Sequence, residues 1–316
     1  MDISSYQPTN KLNNKHLLTL RDYSREEIYE ILCLAKEIKE EYKSGIPRPS
    51  LKGKVLAMIF AKASTRTRLS FEMGMWQLGG MSMFLSAYDI QMGKSETISD
   101  TAKVISRMGV SGLMIRTYNH ADVETFAEFS DIPVINGLTD DYHPCQALAD
   151  VMTAWEKKGH IKGLKMVYMG DGNNVTHSLM VISAKLGIDF VAVCPKNYSP
   201  SEEVYNYCKS IGGKVKITDQ IKGSLQGADI VYTDVVFSMG QPKNKEKAFA
   251  LLPYQVNDTI MELAGPDALF MHCMPAHREE EVTTSVIDGP QSVILDEAEN
   301  RLHAQKAVLE LLLKNY

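Results

Sequence analysis

The stretch VLAMIFAKASTRTRLSFEMGMWQL, residues 55–78, decides the fold. Its first six residues are apolar without alternation, which is typical of a parallel strand that helices cover on both faces. The polar motif Ser64-Thr65-Arg66-Thr67-Arg68 follows directly, and residues 69–78 then carry a helical pattern. We therefore predict a strand, a polar turn and a helix, which are the opening parts of a βαβ unit.

Apolar runs of the same kind recur along the whole chain, with room for a helix between them. The predicted strands are Val55–Phe60, Ser82–Ser86, Gly112–Thr117, Pro133–Leu138, Lys165–Gly170, Asp189–Pro195, Val215–Asp219, Ala228–Val235 and Ala268–Pro275. Four precede a boundary at Val151–Gly163, where a helix leads into a new strand, and five follow it; a last helix is predicted from Glu297. The pattern predicts an α/β fold: two doubly wound parallel-sheet domains, 1–150 and 151–296, with an active-site cleft between them.

Composition and charge exclude several classes of protein. The chain has 316 residues and a formal net charge of -5, so a nucleic acid or an anionic membrane is a poor candidate for its main partner. No run of about 18 apolar residues occurs, which argues against a membrane span. The five cysteines never form a C-x-x-C pair, and the amino terminus shows no secretory pattern. We expect a cytoplasmic protein.

The Ser64–Arg68 motif is the sharpest chemical feature. Hydroxyls and backbone N–H groups at a helix start favour a bound anion, and two arginines add bidentate donors suited to phosphate. An N-capped helix with two solvated arginines is the alternative. A Walker A loop is excluded, because no G-x-x-x-x-G-K-[ST] pattern occurs. The motif predicts a site for a phosphate group on a small molecule.

Two further motifs follow predicted strands in the same way. Gly170–Val175 begins like a dinucleotide-binding turn, but Val175 replaces the third glycine and the next strand has no acidic residue at its end, which disfavours NAD. Its two asparagines are better suited to a polar substrate, unless the turn is merely structural. His143-Pro144-Cys145-Gln146 lies between a strand and a helix, either as a binding loop or as an ordinary helix cap.

The last motifs lie in the second half of the chain. In His272–Arg278, zinc ligation by His272, Cys273 and His277 is disfavoured, because neighbouring strand residues point to opposite faces; a plain buried cysteine is the alternative. Asp234–Gly240 offers a carboxylate and a hydroxyl that could hold an ammonium group, or it forms a routine turn. Arg301, near the start of the last helix, opposes the helix dipole and is expected to have an anionic partner.

Together these motifs resemble the aspartate/ornithine carbamoyltransferase family. The resemblance runs nearly end to end and rests on seven motifs in order: Ser64-Thr65-Arg66-Thr67, Met114-Ile115-Arg116-Thr117, His143-Pro144-Cys145-Gln146, Asp171-Gly172-Asn173-Asn174, Ser238-Met239-Gly240, His272-Cys273-Met274-Pro275 and Glu299-Asn300-Arg301. The loop at 238–240 and the motif at 272–275 are similar to the ornithine branch of the family.

The resemblance implies a division of labour along the chain. The first domain would bind carbamoyl phosphate, with the terminal helix 297–316 packed back on it, and the second would bind ornithine. The carbamoyl phosphate residues would be Ser64, Thr65, Arg66, Thr67, Gln91, Arg116, His143, Gln146, Cys273, Met274 and Arg301. The ornithine residues would be Asn174, Asp234, Ser238 and Met239. Cys273, Arg116 and His143 would act in catalysis.

The activity implied is transfer of the carbamoyl group from carbamoyl phosphate to the δ-amine of L-ornithine, within arginine metabolism, with neither a metal nor a cofactor. Gln91 would reach the site of a neighbouring subunit in a homotrimer, which could assemble further. Two alternatives remain: a carbamoyltransferase that acts on another amine such as putrescine, and a catalytically silent carbamoyl-phosphate-binding homologue.

Overall fold

The computed structural model describes residues 3–92, 95–238 and 240–316. They fold into two compact units, one built from residues 3–152 and 300–316 and the other from residues 153–299. Each unit has its own sheet and its own hydrophobic core.

The first unit carries, within the described residues, a four-stranded parallel sheet. Its strands are β1 (Val55–Phe60), β2 (Met81–Ser86), β3 (Gly112–Arg116) and β4 (Val134–Leu138), in the order β2-β1-β3-β4. Its helices are α1 (Arg25–Lys43), α2 (Thr65–Gln77), α3 (Ile98–Arg107), α4 (His120–Phe129) and the first part of α5 (Pro144–Lys158), after a 3-10 turn at Ile3–Ser5.

The second unit carries a five-stranded parallel sheet, again counted over the described part of the chain. Its strands are β5 (Lys165–Met169), β6 (Asp189–Val193), β7 (Val215–Thr218), β8 (Ile230–Thr233) and β9 (Leu269–His272), in the order β7-β6-β5-β8-β9. Its helices are α6 (Asn174–Leu186), α7 (Glu202–Ser210), α8 (Lys222–Leu225), α9 (Lys245–Leu251), α10 (Asp258–Ala264) and α11 (Thr284–Ile287), with 3-10 turns at Lys196–Tyr198 and Leu252–Tyr254. The last helix, α12 (Ile294–Leu313), begins in this unit and ends in the first.

Both sheets place polar loops at a reversal of strand order. The order reverses between β1 and β3 in the first sheet and between β5 and β8 in the second. In open α/β sheets ligands bind at the carboxyl ends of the two strands that flank such a reversal. The loops at these points carry Ser64–Thr67 after β1, Arg116 at the end of β3, Asn173 after β5 and Asp234 after β8. The topology therefore brings the candidate motifs of each unit to the carboxyl ends of two neighbouring central strands.

The predicted fold class is confirmed, and all nine predicted strands are present, with most ends within two residues of their predicted positions. Two ends differ by three residues. The strand predicted to run to Pro275 stops at His272, because Met274 adopts a left-handed φ of 58° and its N–H turns back to His272 Nδ1 at 2.9 Å. The last helix begins at Ile294 instead of Glu297, because the N–H of Glu297 already donates to the carbonyl of Val293.

Strand β2 departs from the expectation that helices cover both faces of every strand. It lies at the edge of its sheet, paired only with β1 in the described residues, and its side chains are half-exposed. Met81, Met83 and Phe84 on this strand and Trp76 on α2 are large apolar side chains open to solvent. Several large apolar side chains exposed on neighbouring elements are typical of a surface that another chain covers.

None of the helices formed by the described residues is long and apolar enough to cross a membrane.

The carboxyl-terminal part of α12 packs tightly on the first unit. A Cβ added at Gly112 would lie 2.9 Å from Leu313 Cδ1, so any larger residue there would require the Leu313 side chain to shift. Arg48 holds the helix from the side, because its Nε and Nη2 donate to the two carboxylate oxygens of Glu310 at 2.7 and 2.9 Å. Burial by itself would raise the pKa of Glu310, but the hydrogen bonds from Arg48 and Ser50 hold that pKa below its ordinary value.

We expect Arg48→Met to lower the free energy of unfolding by about 2 kcal/mol at pH 7, since it leaves a largely buried carboxylate without its guanidinium. A carboxyl whose pKa is lower in the folded state stabilises the fold above its unfolded pKa of about 4.3, and this stabilisation is lost as the pH falls through the folded value. The difference between wild type and variant should therefore shrink in urea titrations at pH 4.

Lys314→Met is the matched control, because Lys314 is an exposed lysine 4.0 Å from the same carboxylate. It should cost less than about 0.5 kcal/mol. Equal losses for the two variants would show that Arg48 does not anchor α12.

Candidate functional site

The Ser64–Thr67 motif forms the start of α2, as predicted. Ser64 is the N-cap residue, and its Oγ accepts a hydrogen bond from the N–H of Thr67 at 3.2 Å. Thr65 is exposed, Arg66 is half-buried and Thr67 is buried. Arg68 takes no part in this group, because its guanidinium pairs with Glu72 and stacks on Phe84. The helix start therefore presents hydroxyls, backbone N–H groups and one guanidinium.

Two buried arginines converge on the hydroxyl of Thr67. Arg116 lies at the end of β3 and Arg301 on α12, and both donate towards Thr67 Oγ1 at 3.4 Å. Arg116 is 5% exposed and Arg301 is 3% exposed. We call the group made by Ser64, Thr65, Arg66, Thr67, Arg116, His143, Gln146 and Arg301 the anion cradle.

Arg301 has only neutral acceptors in the described residues. Its Nη1 donates to Gln146 Oε1 at 2.6 Å, while its Nε has no acceptor there. The amide of Gln305, with its oxygen turned towards the guanidinium, accepts from Nη2 at 3.1 Å. A cation buried without an opposite charge costs several kcal/mol, so this arrangement favours an anionic ligand. The predicted anionic partner of Arg301 is not a side chain of the described residues.

His143 lies among these guanidinium groups as a neutral base. Burial, and then the charges of Arg301, Arg116 and Arg66, hold the pKa of His143 well below its ordinary value. An imidazole with a lowered pKa carries one N–H donor and no charge at neutral pH. His143 can therefore donate a hydrogen bond to a carbonyl oxygen without adding a further positive charge.

Gln146 and Gln91 differ in their settings. Gln146 is 1% exposed, and its Nε2 donates to Asp150 at 2.7 Å, which turns its oxygen towards Arg301. Gln91 is exposed on the segment after β2, where its Oε1 accepts from Ser95 at 2.9 Å. A role for Gln91 in a neighbouring subunit stays a prediction.

Sequence reasoning missed Lys62, which lies two residues before the cradle. Its side chain is buried, its ammonium group pairs with Asp140 and it lies 4.3 Å from the ring centroid of Tyr118. These contacts tie the connection after β1 to the loops after β3 and β4. Its position in the sequence could have drawn attention to Lys62, because it lies in the same β–α connection as the phosphate motif.

In the second unit, Asp234 is the centre of a group of buried and half-buried polar residues. We call this group, made by Asp171, Asn173, Asp234 and Cys273, the acidic half-site. Asp234 is buried at the end of β8, where its Oδ2 accepts from Asn173 Nδ2 at 2.6 Å. Its Oδ1 accepts from the thiol of Cys273 at 3.0 Å. The structure thus brings together two of the predicted residues, Asp234 and Cys273.

Of the two adjacent asparagines, it is Asn173 that orients Asp234. Asn173 is the N-cap of α6, and its Oδ1 accepts from the N–H groups of Val175 and Thr176, which leaves Nδ2 for Asp234. The predicted Asn174 is also buried, with its Oδ1 bound to the N–H of Val175. The sequence pointed to both asparagines of the motif, and the resemblance assigned only Asn174 to the substrate; that Asn173 caps the helix and orients Asp234 is seen in the structure.

Of the remaining predicted residues, Ser238 follows β8 and Met274 follows β9. Ser238 is half-buried, and its carbonyl accepts from the N–H of Gln241 at 3.0 Å. Met274 is partly buried just beyond β9. Met239 falls outside the described residues.

The expectation that His272 and Cys273 face opposite ways is wrong. Their ligand atoms lie within 4.8 Å of each other and of Asp234, because Cys273 is already past the end of β9 and strand alternation no longer applies. In the described residues His277 groups instead with Glu280 and Glu281, so the zinc trio of His272, Cys273 and His277 that the sequence disfavoured is not brought together. Both ring nitrogens of His272 are engaged, one with Met274 and the other with Glu281.

Sequence reasoning also missed Lys247, which pairs with Asp171 in this unit. Lys247 Nζ lies 2.6 Å from Asp171 Oδ2, and the two residues are 76 positions apart. Nothing in the local sequence around Lys247 indicates this pair.

Comparison with known proteins gives a family match for each of the two units. Residues 15–156 match the family model for the "Aspartate/ornithine carbamoyltransferase, carbamoyl-P binding domain", and residues 162–312 match the model for its "Asp/Orn binding domain". A protein of Pyrococcus abyssi named ornithine carbamoyltransferase is 53% identical over 307 residues, which are 96% of each chain. One of Oceanobacillus iheyensis with the same name is also 53% identical, over 96% of this chain and 95% of the other.

Solved structures give the same result. The ornithine carbamoyltransferase from Pyrococcus furiosus superposes with a TM-score of 0.92 at 52% identity, over 95% of this chain and 97% of the other. The enzyme of that name from Thermus thermophilus superposes with a TM-score of 0.87 at 37% identity, over 96% and 100%. Fold, motifs and similarity over nearly the whole length agree, and the chain belongs to the aspartate/ornithine carbamoyltransferase family.

Proposed function

We propose that this protein transfers the carbamoyl group of carbamoyl phosphate to the δ-amine of L-ornithine, giving L-citrulline and phosphate. The observation that carries the proposal is the anion cradle, in which buried arginines surround a neutral histidine and Arg301 has no carboxylate partner among the described residues. Curated relatives about half identical over nearly the whole chain carry the name of this enzyme, which supports ornithine as the acceptor.

The proposed reaction is an addition followed by an elimination. The nitrogen of the neutral δ-amine attacks the carbonyl carbon of carbamoyl phosphate, the carbon–oxygen bond to the phosphate breaks, and phosphate leaves with the electron pair. The nitrogen gives up one proton, to the departing phosphate or to solvent, as the ureido group of citrulline forms. These steps need neither a metal nor a cofactor.

The residues of the cradle divide between the two ends of carbamoyl phosphate. Ser64, Thr65, Arg66 and Thr67 bind the phosphate at the start of α2 and stabilise it as it leaves. Three buried donors, on Arg116, His143 and Thr67, stabilise the carbonyl oxygen as it gains charge, at roughly 3 kcal/mol for a well-placed donor. Gln146 and Arg301 hold the carbamoyl group, together with Cys273 and Met274.

The acidic half-site suits an amino acid with two amines. Asn174, Asp234, Ser238 and Met239 bind ornithine in this proposal. A δ-ammonium group with a pKa near ~10 must lose a proton before it can attack. Cys273 and Asp234, joined by a hydrogen bond of 3.0 Å, are the candidates to orient the amine and accept that proton.

The assembly and setting belong to the same proposal. The exposed apolar side chains on β2 and α2 support a homotrimer, with Gln91 reaching a neighbouring site. The five cysteines are thiols without disulfides, which fits a reducing cytoplasm. The product, citrulline, places the reaction in arginine metabolism.

Acceptor choice tests the proposed function directly. Ornithine, putrescine, N-acetylornithine and aspartate should be offered in parallel with carbamoyl phosphate, and the carbamoylated products measured. We expect ornithine to be preferred at least tenfold in kcat/KM, which corresponds to about 1.4 kcal/mol. Preference for another amine would change the substrate, and tight carbamoyl phosphate binding without turnover of any acceptor would indicate a silent homologue.

Arg301 should contribute to carbamoyl phosphate binding. We expect Arg301→Met to weaken the Kd for carbamoyl phosphate roughly 30-fold, since charge-assisted hydrogen bonds to an anion are worth about 2 kcal/mol. Arg107→Met, which removes an exposed arginine of the same unit, is the control and should leave the Kd unchanged. The Kd values are measured by calorimetric titration. Equal values for the two variants would show that Arg301 does not contribute to the site.

Cys273 should matter for turnover more than for binding. We expect Cys273→Ala to lower kcat by about 100-fold, as removal of a group that handles a proton does. The Kd for carbamoyl phosphate should change less than about threefold, because the cradle supplies most of the contacts. Cys33→Ala, at a half-buried thiol on α1, is the control; an undiminished kcat in Cys273→Ala would exclude a chemical role.

A further inference from the structure

Lys247 is the buried cation of the second unit that the proposed reaction does not use. It lies on α9, is 9% exposed and forms its ion pair with Asp171, which is 7% exposed. Two charges this deeply buried are retained at a considerable desolvation cost, and removing one partner leaves the other uncompensated. A buried pair that is retained at this cost, beside a substrate site, suggests a role in that site.

The ammonium group of Lys247 joins three separate segments. Besides Asp171, in the turn after β5, it donates to Gln241 Oε1 at 3.0 Å. It also lies 5.6 Å from the ring centroid of Tyr198 and 5.9 Å from that of Phe237. Gln241 and Phe237 belong to the segment that carries Ser238, so Lys247 ties this segment to the end of β5.

Asp171 is a fixed point for that tie. Its backbone carbonyl accepts hydrogen bonds from the hydroxyls of Tyr168 and Thr176, at 2.7 and 3.2 Å, and from the N–H of Asn173 at 2.8 Å. Asn173 in turn orients Asp234. Lys247, which binds Asp171, therefore has a fixed position relative to Asp234.

The charges of the half-site lead to the same residue. Burial raises the pKa of Asp171, the nearby charge of Asp234 raises it further, and Lys247 opposes both effects. Without Lys247 this half-site would hold two neighbouring carboxylates, and a substrate with two ammonium groups could bind to either. With Lys247 in place, Asp171 is neutralised, whereas Asp234 forms no ion pair with a basic side chain of the described residues.

We propose that Lys247 is a positioning and specificity-determining residue for the amino-acid substrate. Its ion pair with Asp171 holds the segment around Ser238 in place and prevents Asp171 from competing with Asp234 for the ammonium groups of the substrate. The inference rests on the proposed function, because it takes ornithine as that substrate. It assigns no proton transfer to Lys247.

The test compares three variants with wild type in the same steady-state assay. We expect Lys247→Met to raise the KM for ornithine at least tenfold, with the KM for carbamoyl phosphate changed less than twofold. Lys247→Arg keeps the charge and should recover most of the ornithine affinity. Lys245→Met, at an exposed lysine on the same helix, should behave as wild type.

A double variant separates the charge from the packing. Lys247→Met with Asp171→Asn removes both partners, so it should bind ornithine more tightly than Lys247→Met alone, since no unpaired carboxylate competes for the substrate. It should also regain the preference of wild type for ornithine over putrescine. If Lys247→Met folds poorly, the double variant still tests the inference, because it leaves neither partner of the pair as an unpaired buried charge.

Two results would overturn the inference while leaving the proposed function intact. One is a wild-type KM for ornithine in Lys247→Met, and the other is an equal rise in both KM values, which would indicate a general loss of structure. If wild type itself does not carbamoylate ornithine in this assay, it is the proposed function that fails.

Discussion

The structure of the first unit depends on bringing buried positive charge to the start of α2. Arg116 arrives at the end of β3, and Arg301 arrives on a helix from the other end of the chain; both meet the hydroxyl of Thr67. Repulsion between guanidinium groups opposes this convergence, so the surrounding structure must impose it. Lys39, which donates to Asn300 at 2.7 Å, and Arg48, which pairs with Glu310, hold α12 in place on either side of Arg301.

The neutrality of His143 is a consequence of the same charges. A histidine in water is partly protonated near neutral pH, but burial and three guanidinium groups make a fourth positive charge unfavourable here. The cradle therefore combines permanent cations with one uncharged donor. This combination suits a ligand that carries a phosphate dianion at one end and a neutral carbonyl at the other, as carbamoyl phosphate does.

The second unit has the opposite electrostatic requirement, at the reversal of strand order in its own five-stranded sheet. Its acidic half-site contains two buried carboxylates, those of Asp234 and Asp171. Asn173 and Cys273 donate hydrogen bonds to Asp234 and do not neutralise it. Lys247 neutralises the other, Asp171. The two sheets share an arrangement of loops at a strand-order reversal, yet one presents net positive and the other net negative charge at that point. The pair of half-sites thus matches an anionic donor and a cationic acceptor.

The sequence alone determined the elements and the main chemical groups. Unalternated apolar runs predicted nine parallel strands, because strands covered on both faces have no polar side, and the motif at Ser64–Arg68 predicted a phosphate site. The wider set of site residues, Asp234 and Cys273 among them, came from the resemblance to the family. Strand periodicity failed at Cys273, where a local hydrogen bond from Met274 to His272 ends the strand early. Only the tertiary structure decided that Asn173 orients Asp234, that Lys62 braces the phosphate loop, and that Lys247 pairs with Asp171. The physical reason is range: periodicity and capping act within a few residues, whereas an ion pair between positions 76 apart exists only after the sheet has brought its loops together.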